Sequence, residues 1–285
     1  MTVMKKMREV LYRVWIDPQR YQLKRPVRMT LLADLHSNQI GKENKILIQR
    51  IVQFDPDLVL IAGDLIVGEA GSDTMIAQNL LEQLRKRYTI YYENGNHEHR
   101  MKVKPEIYGN TYKEYHQWMM DRGIHLIENE REEIEICGIK IGLYGLELGQ
   151  EYFRRSAHRK KLTIQEMEAY LGKKKTDEFS IVLAHNPVFF SVYAAWGADL
   201  VCSGHLHGGM ARIPGIGGII SPQMCIFPKY DRGRYKNEKS EMIVSAGLGM
   251  HTIPFRPFNP IELVHMELTN DKEKIDTQIK MIKWK

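Results

Sequence analysis

Cysteine is scarce. The chain has three, Cys137, Cys202 and Cys225, and no two stand in a CxxC pair. That excludes a disulfide scaffold and a thiolate zinc ribbon, and it fits reduced thiols in a cytoplasmic protein. No run of about twenty apolar residues exists, so hydropathy yields no membrane-spanning helix. Residues 1–23 are basic but lack the continuous apolar centre of a signal peptide. Internal repeats, low-complexity tracts and Pro/Ser-rich linkers are missing too, which favours one main domain over several. Charge of one sign is also limited: the formal net charge is +6 over 285 residues. Such a balance suits anionic substrates, a membrane surface or nucleic acid without choosing among them. Basic residues do not interleave with aromatics as in a stacking platform, so nucleic acid is not favoured.

What is present is a succession of short apolar runs alternating with amphipathic stretches. Met4, Met7, Leu11 and Val14 with Trp15 fall at helical spacing, with Lys5, Lys6, Arg8 and Arg13 between them. This predicts a basic helical segment over residues 1–24, ahead of a domain at 25–285. Such a helix either docks on the core or rests on anionic lipid, which would make the protein peripheral to a membrane. Strands are predicted at 27–33, 58–61, 88–93, 179–184 and 199–203, with helices at 43–54, 74–87, 114–122 and 188–196. Residues 134–143 alternate and turn at Gly138, as a hairpin does. Residues 213–235 read as a long ordered loop, and further strands follow at 242–245, 261–268 and 277–282. Strand and helix alternating in this way is the grammar of an α/β sheet with right-handed crossovers.

Five of these strands end in residues that bind metals. The endings are Asp34 with His36, Asp64 after Gly63, Asn96-His97-Glu98 after Gly95, His185, and His205 with His207. In α/β sheets functional groups gather outside the carboxyl ends of strands. Any one ending alone would read as a turn or a cap. Together Asp34, His36, Asp64, Asn96, His185, His205 and His207 make seven nitrogen or oxygen donors. One catalytic zinc takes about three protein ligands plus water. Two ions about 3.5–4 Å apart absorb seven if a carboxylate bridges them, and Asp64 is the natural bridge. Four imidazoles argue against calcium or magnesium, leaving Mn, Fe, Zn, Co or Ni in a divalent or trivalent state.

The order Asp-x-His, Gly-Asp, Gly-Asn-His-Glu, His, Gly-His-x-His resembles the calcineurin-like metallophosphoesterases, over residues 27–268. The resemblance implies a four-layer α/β/β/α sandwich of two mixed sheets flanked by helices. It assigns Asp34, His36, Asp64 and His207 to a first metal, and Asp64, Asn96, His185 and His205 to a second. His97 is then the catalytic histidine that assists at the substrate phosphate. Many members have Asp where this chain has Glu98, which bears on what orients His97. Gly208-Gly209, Phe227-Pro228-Lys229-Tyr230, Gly247-Leu248-Gly249 and Arg256 are similar to a bacterial branch of UDP-diacylglucosamine diphosphatases and phosphodiesterases, with Met210 where relatives often carry Gln.

The expected chemistry is hydrolysis of a phosphodiester or diphosphate. A water shared by two cations loses its proton and attacks phosphorus in line, with a small phosphorylated or lipid-linked substrate. Arg256 either reaches the substrate phosphate or pairs with a surface carboxylate. His99 and His251 are candidates for supporting the site, and the basic run from Arg154 to Lys175 either overhangs it or is a solvated surface. A metal-dependent nuclease, and a non-catalytic binder of nucleic acid or lipid on the same fold, are the rival readings.

Overall fold

The structure is a computed structural model describing residues 5–250 and 256–284. In chain order its elements are β1 (Lys5–Trp15), β2 (Val27–Leu32), α1 (Lys45–Phe54), β3 (Leu58–Ala62), α2 (Met75–Leu84) and β4 (Thr89–Glu93). There follow α3 (Asn96–Val103), α4 (Pro105–Tyr108), α5 (Thr111–Met120), β5 (His125–Leu126), β6 (Arg131–Ile136), β7 (Ile139–Gly145) and α6 (Ile164–Leu171). The rest comprises β8 (Phe179–Leu183), α7 (Phe190–Trp196), β9 (Leu200–Ser203), β10 (Arg212–Ile213), β11 (Gly217–Gly218), β12 (Gly233–Asn237), β13 (Ser240–Val244), β14 (Ile261–Thr269) and β15 (Thr277–Trp284). One mixed sheet runs β15-β1-β14-β2-β3-β4-β5 and the other β12-β13-β9-β8-β7-β6.

Strand alternation sorts side chains into layers. Met29 and Leu31 on β2, Leu58 and Leu60 on β3, and Ile181 and Leu183 on β8 face a shared core between the sheets. Leu32, Val59 and Ile61 face the other way and pack against Leu47, Ile51, Leu80, Leu81 and Tyr115 from helices α1, α2 and α5. On the second sheet Val182 and Val201 meet Met167 of α6 and Phe190 and Tyr193 of α7. The result is helices, sheet, sheet, helices, which is the sandwich expected above.

The N-terminal segment departs from expectation. Residues 5–15 are not a helix but the strand β1, parallel to β14 and antiparallel to β15. Val10, Tyr12, Val14 and Ile16 recur every second residue and are buried in the inter-sheet core. The helical stripe noted in the sequence overlaps this period-two pattern, and β-branched and aromatic residues resolve it toward a strand. Its arginines are committed as well: Arg8 pairs with Glu262, and Arg13 with Glu267 and Asp276. The interfacial helix proposed for membrane contact is therefore not formed. Among the described residues no helix is long and apolar enough to cross a membrane.

Two smaller departures concern local structure. The residues after Gly95 form the helix α3 rather than a plain turn. The loop at 213–235 contains the short pair β10 and β11 and leads into β12. The hairpin is present, with β6 and β7 pairing antiparallel around Cys137 and Gly138.

Candidate metal centre

Strands β2, β3 and β4 lie side by side and parallel in one sheet, as do β7, β8 and β9 in the other. Their carboxyl ends face each other, and the loops leaving them are sewn together. Asp34 N–H donates to Gly63 O at 3.0 Å and His36 N–H to Asp64 O at 3.0 Å. Across the gap, His205 N–H donates to Asp34 Oδ2 at 2.9 Å. His185 Nδ1 lies 2.6 Å from the Ala62 carbonyl and donates to it. The two sheets thus hold each other at the site.

The backbone turns sharply here. Asp34, His36, Asp64, His205 and His207 all adopt positive φ, between 46° and 71°. The left-handed region is costly for residues with a Cβ, and such strain concentrates at functional sites. Gly95 allows a close approach, since a Cβ there would overlap Asp64 Oδ1 and the Asp64 amide.

Six of the seven expected ligands converge, with the expected catalytic His97 beside them, in overlapping groups: Asp34, His36 and His207; Asp64, His185 and His205; and His36, Asp64 and His97. Within each, the ligand atoms lie within 4.8 Å of one another, and all seven residues are buried. His185 donates its Nδ1–H to the Ala62 carbonyl and turns Nε2 toward Asp64 Oδ2, only 3.0 Å away. His36 Nε2 and His207 Nε2 stand 3.0 Å apart. Asn96 Oδ1 is buried with no hydrogen-bond partner. Carboxylates, imidazole nitrogens and a carboxamide oxygen are thus gathered in a buried space, where a bound cation would satisfy them.

The ionisation behaviour has the same origin. Burial, with Asp64 repulsion added, pushes Asp34 up to about 7 against the pull of His185. Burial works against charge on Asp64 too, but His185, His97 and His36 outweigh it and hold that carboxyl well below its usual range. Burial would lower His185, yet Asp64 and Asp34 push it up to about 9. Burial, and then a neighbouring imidazole, drives His205 and His207 well down, which keeps both neutral. With the His185 proton displaced, a buried set of imidazoles, carboxylates and one carboxamide oxygen fits transition-metal ions.

A profile of the calcineurin-like phosphoesterase family matches residues 27–209. The chain belongs to that family. An uncharacterized metallophosphoesterase of Helicobacter pylori is 26% identical over 87% of this chain and 61% of its own length. One from Campylobacter jejuni is 26% identical over 90% of this chain and 63% of its own length. The chain thus spans about three fifths of these relatives. Among solved structures, a phosphopantetheinyl hydrolase from Mycobacterium tuberculosis superposes with a TM-score of 0.49 at 15% identity, over 76% of this chain and 87% of that one.

The remaining candidates fall into place around the calcineurin-like centre. Glu98 accepts N–H groups from Asp64, Leu65 and Gly95 at 2.9, 2.9 and 3.1 Å and the Tyr92 hydroxyl at 2.8 Å. It pins the β3 loop to the start of α3 rather than orienting His97. His97 Nδ1 instead accepts the Gly68 N–H at 2.8 Å, which places its proton on Nε2, 4.0 Å from Asp64 Oδ2. The Arg256 guanidinium donates to the carbonyls of Gly249, His207 and Ala246 rather than to a surface carboxylate. His99 pairs with Glu147 at 2.6 Å. His251 lies outside the described residues.

Sequence reasoning missed Gln223, whose Nε2 lies 2.8 Å from His205 Nε2, and did not single out Arg159, which reaches Gln223 Oε1 at 3.2 Å, within the basic run expected either to overhang the site or to be solvated. Gln223 sits in an aperiodic loop, and Arg159 was one cation in a basic run. Neither carried a signal that distinguished it.

Proposed function

We propose that this chain hydrolyses a phosphodiester or a diphosphate using two transition-metal ions. Asp34, His36, Asp64 and His207 would hold one, and Asp64, Asn96, His185 and His205 the other. The observation that carries this reading is the buried convergence of Asp34, His36 and His207 and of Asp64, His185 and His205, each group's ligand atoms lying within 4.8 Å of one another. When bound, such a pair of ions supplies an activated water at neutral pH and neutralises charge on phosphoryl oxygens.

The chain's own residues do the rest. His97, fixed with its proton on Nε2, is placed to donate a hydrogen bond to a phosphoryl oxygen or a proton to the leaving oxygen. Arg256 and Asn259 hold the carbonyl of His207 from behind, at 3.0 and 2.6 Å, and so fix that imidazole's backbone. Glu98 does the same for the Asp64 loop.

A lipid-linked substrate is supported by one feature. A groove of about 1240 Å³ lies beyond Arg256, lined by Ile216, Phe227, Phe258 and Met281 with Lys5 and Lys229 among them. Its apolar walls suit an acyl chain and its cations an anionic head. The test is hydrolysis of a generic aryl phosphodiester, before and after chelation and on reloading with Mn or Zn. Chelator-sensitive turnover restored by metal is expected. Metal-loaded protein that hydrolyses no phosphoester would overturn the reading in favour of a binding protein. Single-stranded DNA cleaved in preference to every diphosphate would turn it into a nuclease.

A further inference from the structure

The segment that crosses the Asp64–His185–His205 half of the centre carries a cation with no acidic partner. Gln150 Nε2 donates to the Asn96 carbonyl at 2.7 Å. The Phe153 ring stands edge-on to His205, their centroids 4.9 Å apart. Lys160 N–H donates back to Glu151 O at 3.0 Å, so the segment folds over on itself. Gln223 ties it down. That side chain is 6% exposed and donates Nε2 to the Phe153 carbonyl at 3.2 Å.

Its other end holds Arg159. The guanidinium gives Gln223 Oε1 one hydrogen bond at 3.2 Å and lies over the Phe189 ring, 5.8 Å from its centroid. Neighbouring Lys160 is neutralised by Glu166 at 2.9 Å. No carboxylate lies within ion-pair distance of Arg159 among the described residues. A guanidinium bonded to a neutral carboxamide keeps its whole charge, and most of its five N–H donors stay free. It is fixed by packing, one carboxamide away from the His205 nitrogen.

We propose that Arg159, oriented by Gln223, binds a second phosphoryl group of the substrate beside the phosphorus under attack. The site thereby favours diphosphates over single-phosphate diesters. This rests on the reading of the centre as a phosphoesterase. The planar fork of Arg matches two oxygens of a phosphoryl group, which an ammonium cannot do.

Two measurements test it together. The first is calorimetric binding of methylenediphosphonate and of methylphosphonate to metal-loaded wild type, Arg159→Gln and Arg159→Lys. The second is the ratio of kcat/KM for a diphosphate diester over an aryl phosphodiester. In Arg159→Gln both preferences should fall about tenfold or more, the effect of losing charge-assisted hydrogen bonds. Arg159→Lys should recover part of each. Metal content equal to that of wild type shows that the variants are folded. A preference within about twofold of wild type in Arg159→Gln, or a wild-type preference for the single-phosphate ligand, would overturn the proposal. Turnover of neither ester by metal-loaded wild type would instead count against the phosphoesterase reading, while the binding ratio still decides the role of Arg159.

Discussion

Asp64 Oδ2 lies 3.0 Å from His185 Nε2 and 3.9 Å from His36 Nε2 and so faces both halves of the centre, while Oδ1 accepts the His97 N–H at 2.8 Å. Asp64→Ala should therefore lose metal and activity together, as read by metal analysis and a phosphodiester assay. His97 differs in kind, because its Nδ1 is occupied by Gly68 and only Nε2–H faces the site. His97→Ala should keep its metals while turnover falls about a hundredfold or more; normal turnover would remove the role assigned to it. The titrating groups add a pH dependence. In the metal-free protein Asp34 sits at about 7 and His185 at about 9, and both must lose protons to become ligands. Metal affinity should then rise with pH across that window, by up to about tenfold per unit for each proton displaced. Competition against a buffered chelator at several pH values measures it, and a flat profile would contradict the proton competition. Both folded-state pKa values are raised, so their contribution to metal-free stability is present in acid and is lost as pH climbs through them.

Individual elements show where sequence patterns sufficed and where they failed. The strands ending in the ligand residues were legible because each is a short apolar run closed by polar residues, with no competing period. β1 was not, because Met7, Leu11 and Val14 satisfy a helical spacing while Val10, Tyr12 and Val14 satisfy a strand. Only the tertiary structure shows that Val10 is fully buried, between Val264 of β14 and Ile279 of β15. Val10→Ser should cost about 3 kcal/mol in urea unfolding, from the lost methyls and the buried hydroxyl. A loss below about 1 kcal/mol would fit the helix reading instead. The helix α3 escaped notice for another reason. Its buried first turn is Asn96, His97 and Glu98, which faces the site rather than an apolar core, so no hydrophobic stripe marks it. Its marks are subtler: Gly95 before it, Glu98 in the first turn, and Arg100 and Lys102 in the last.

At the scale of the molecule, the sequence showed which residues end strands but not which sheet each strand joins. The site depends on that division. His185 and His205 come from one sheet, Asp34 and Asp64 from the other, and the His185–Ala62 and His205–Asp34 bonds close the gap between them. Ligand loading should accordingly stiffen the whole sandwich. Saturating Mn or Zn is expected to raise the unfolding free energy by about 2.7 kcal/mol at a hundredfold excess over Kd, and chelation to reverse it. The left-handed backbone of Asp34, His36, Asp64, His205 and His207 was invisible beforehand, because nothing in residue type demands it outside glycine. The most direct measurement is the stoichiometry of metal bound by the purified chain, from calorimetric titration of the metal-free protein with Mn or Zn. Two ions per chain are expected, with fewer in Asp64→Ala. A single ion in the wild type, or two retained after Asp64→Ala, would contradict a carboxylate shared between neighbouring cations.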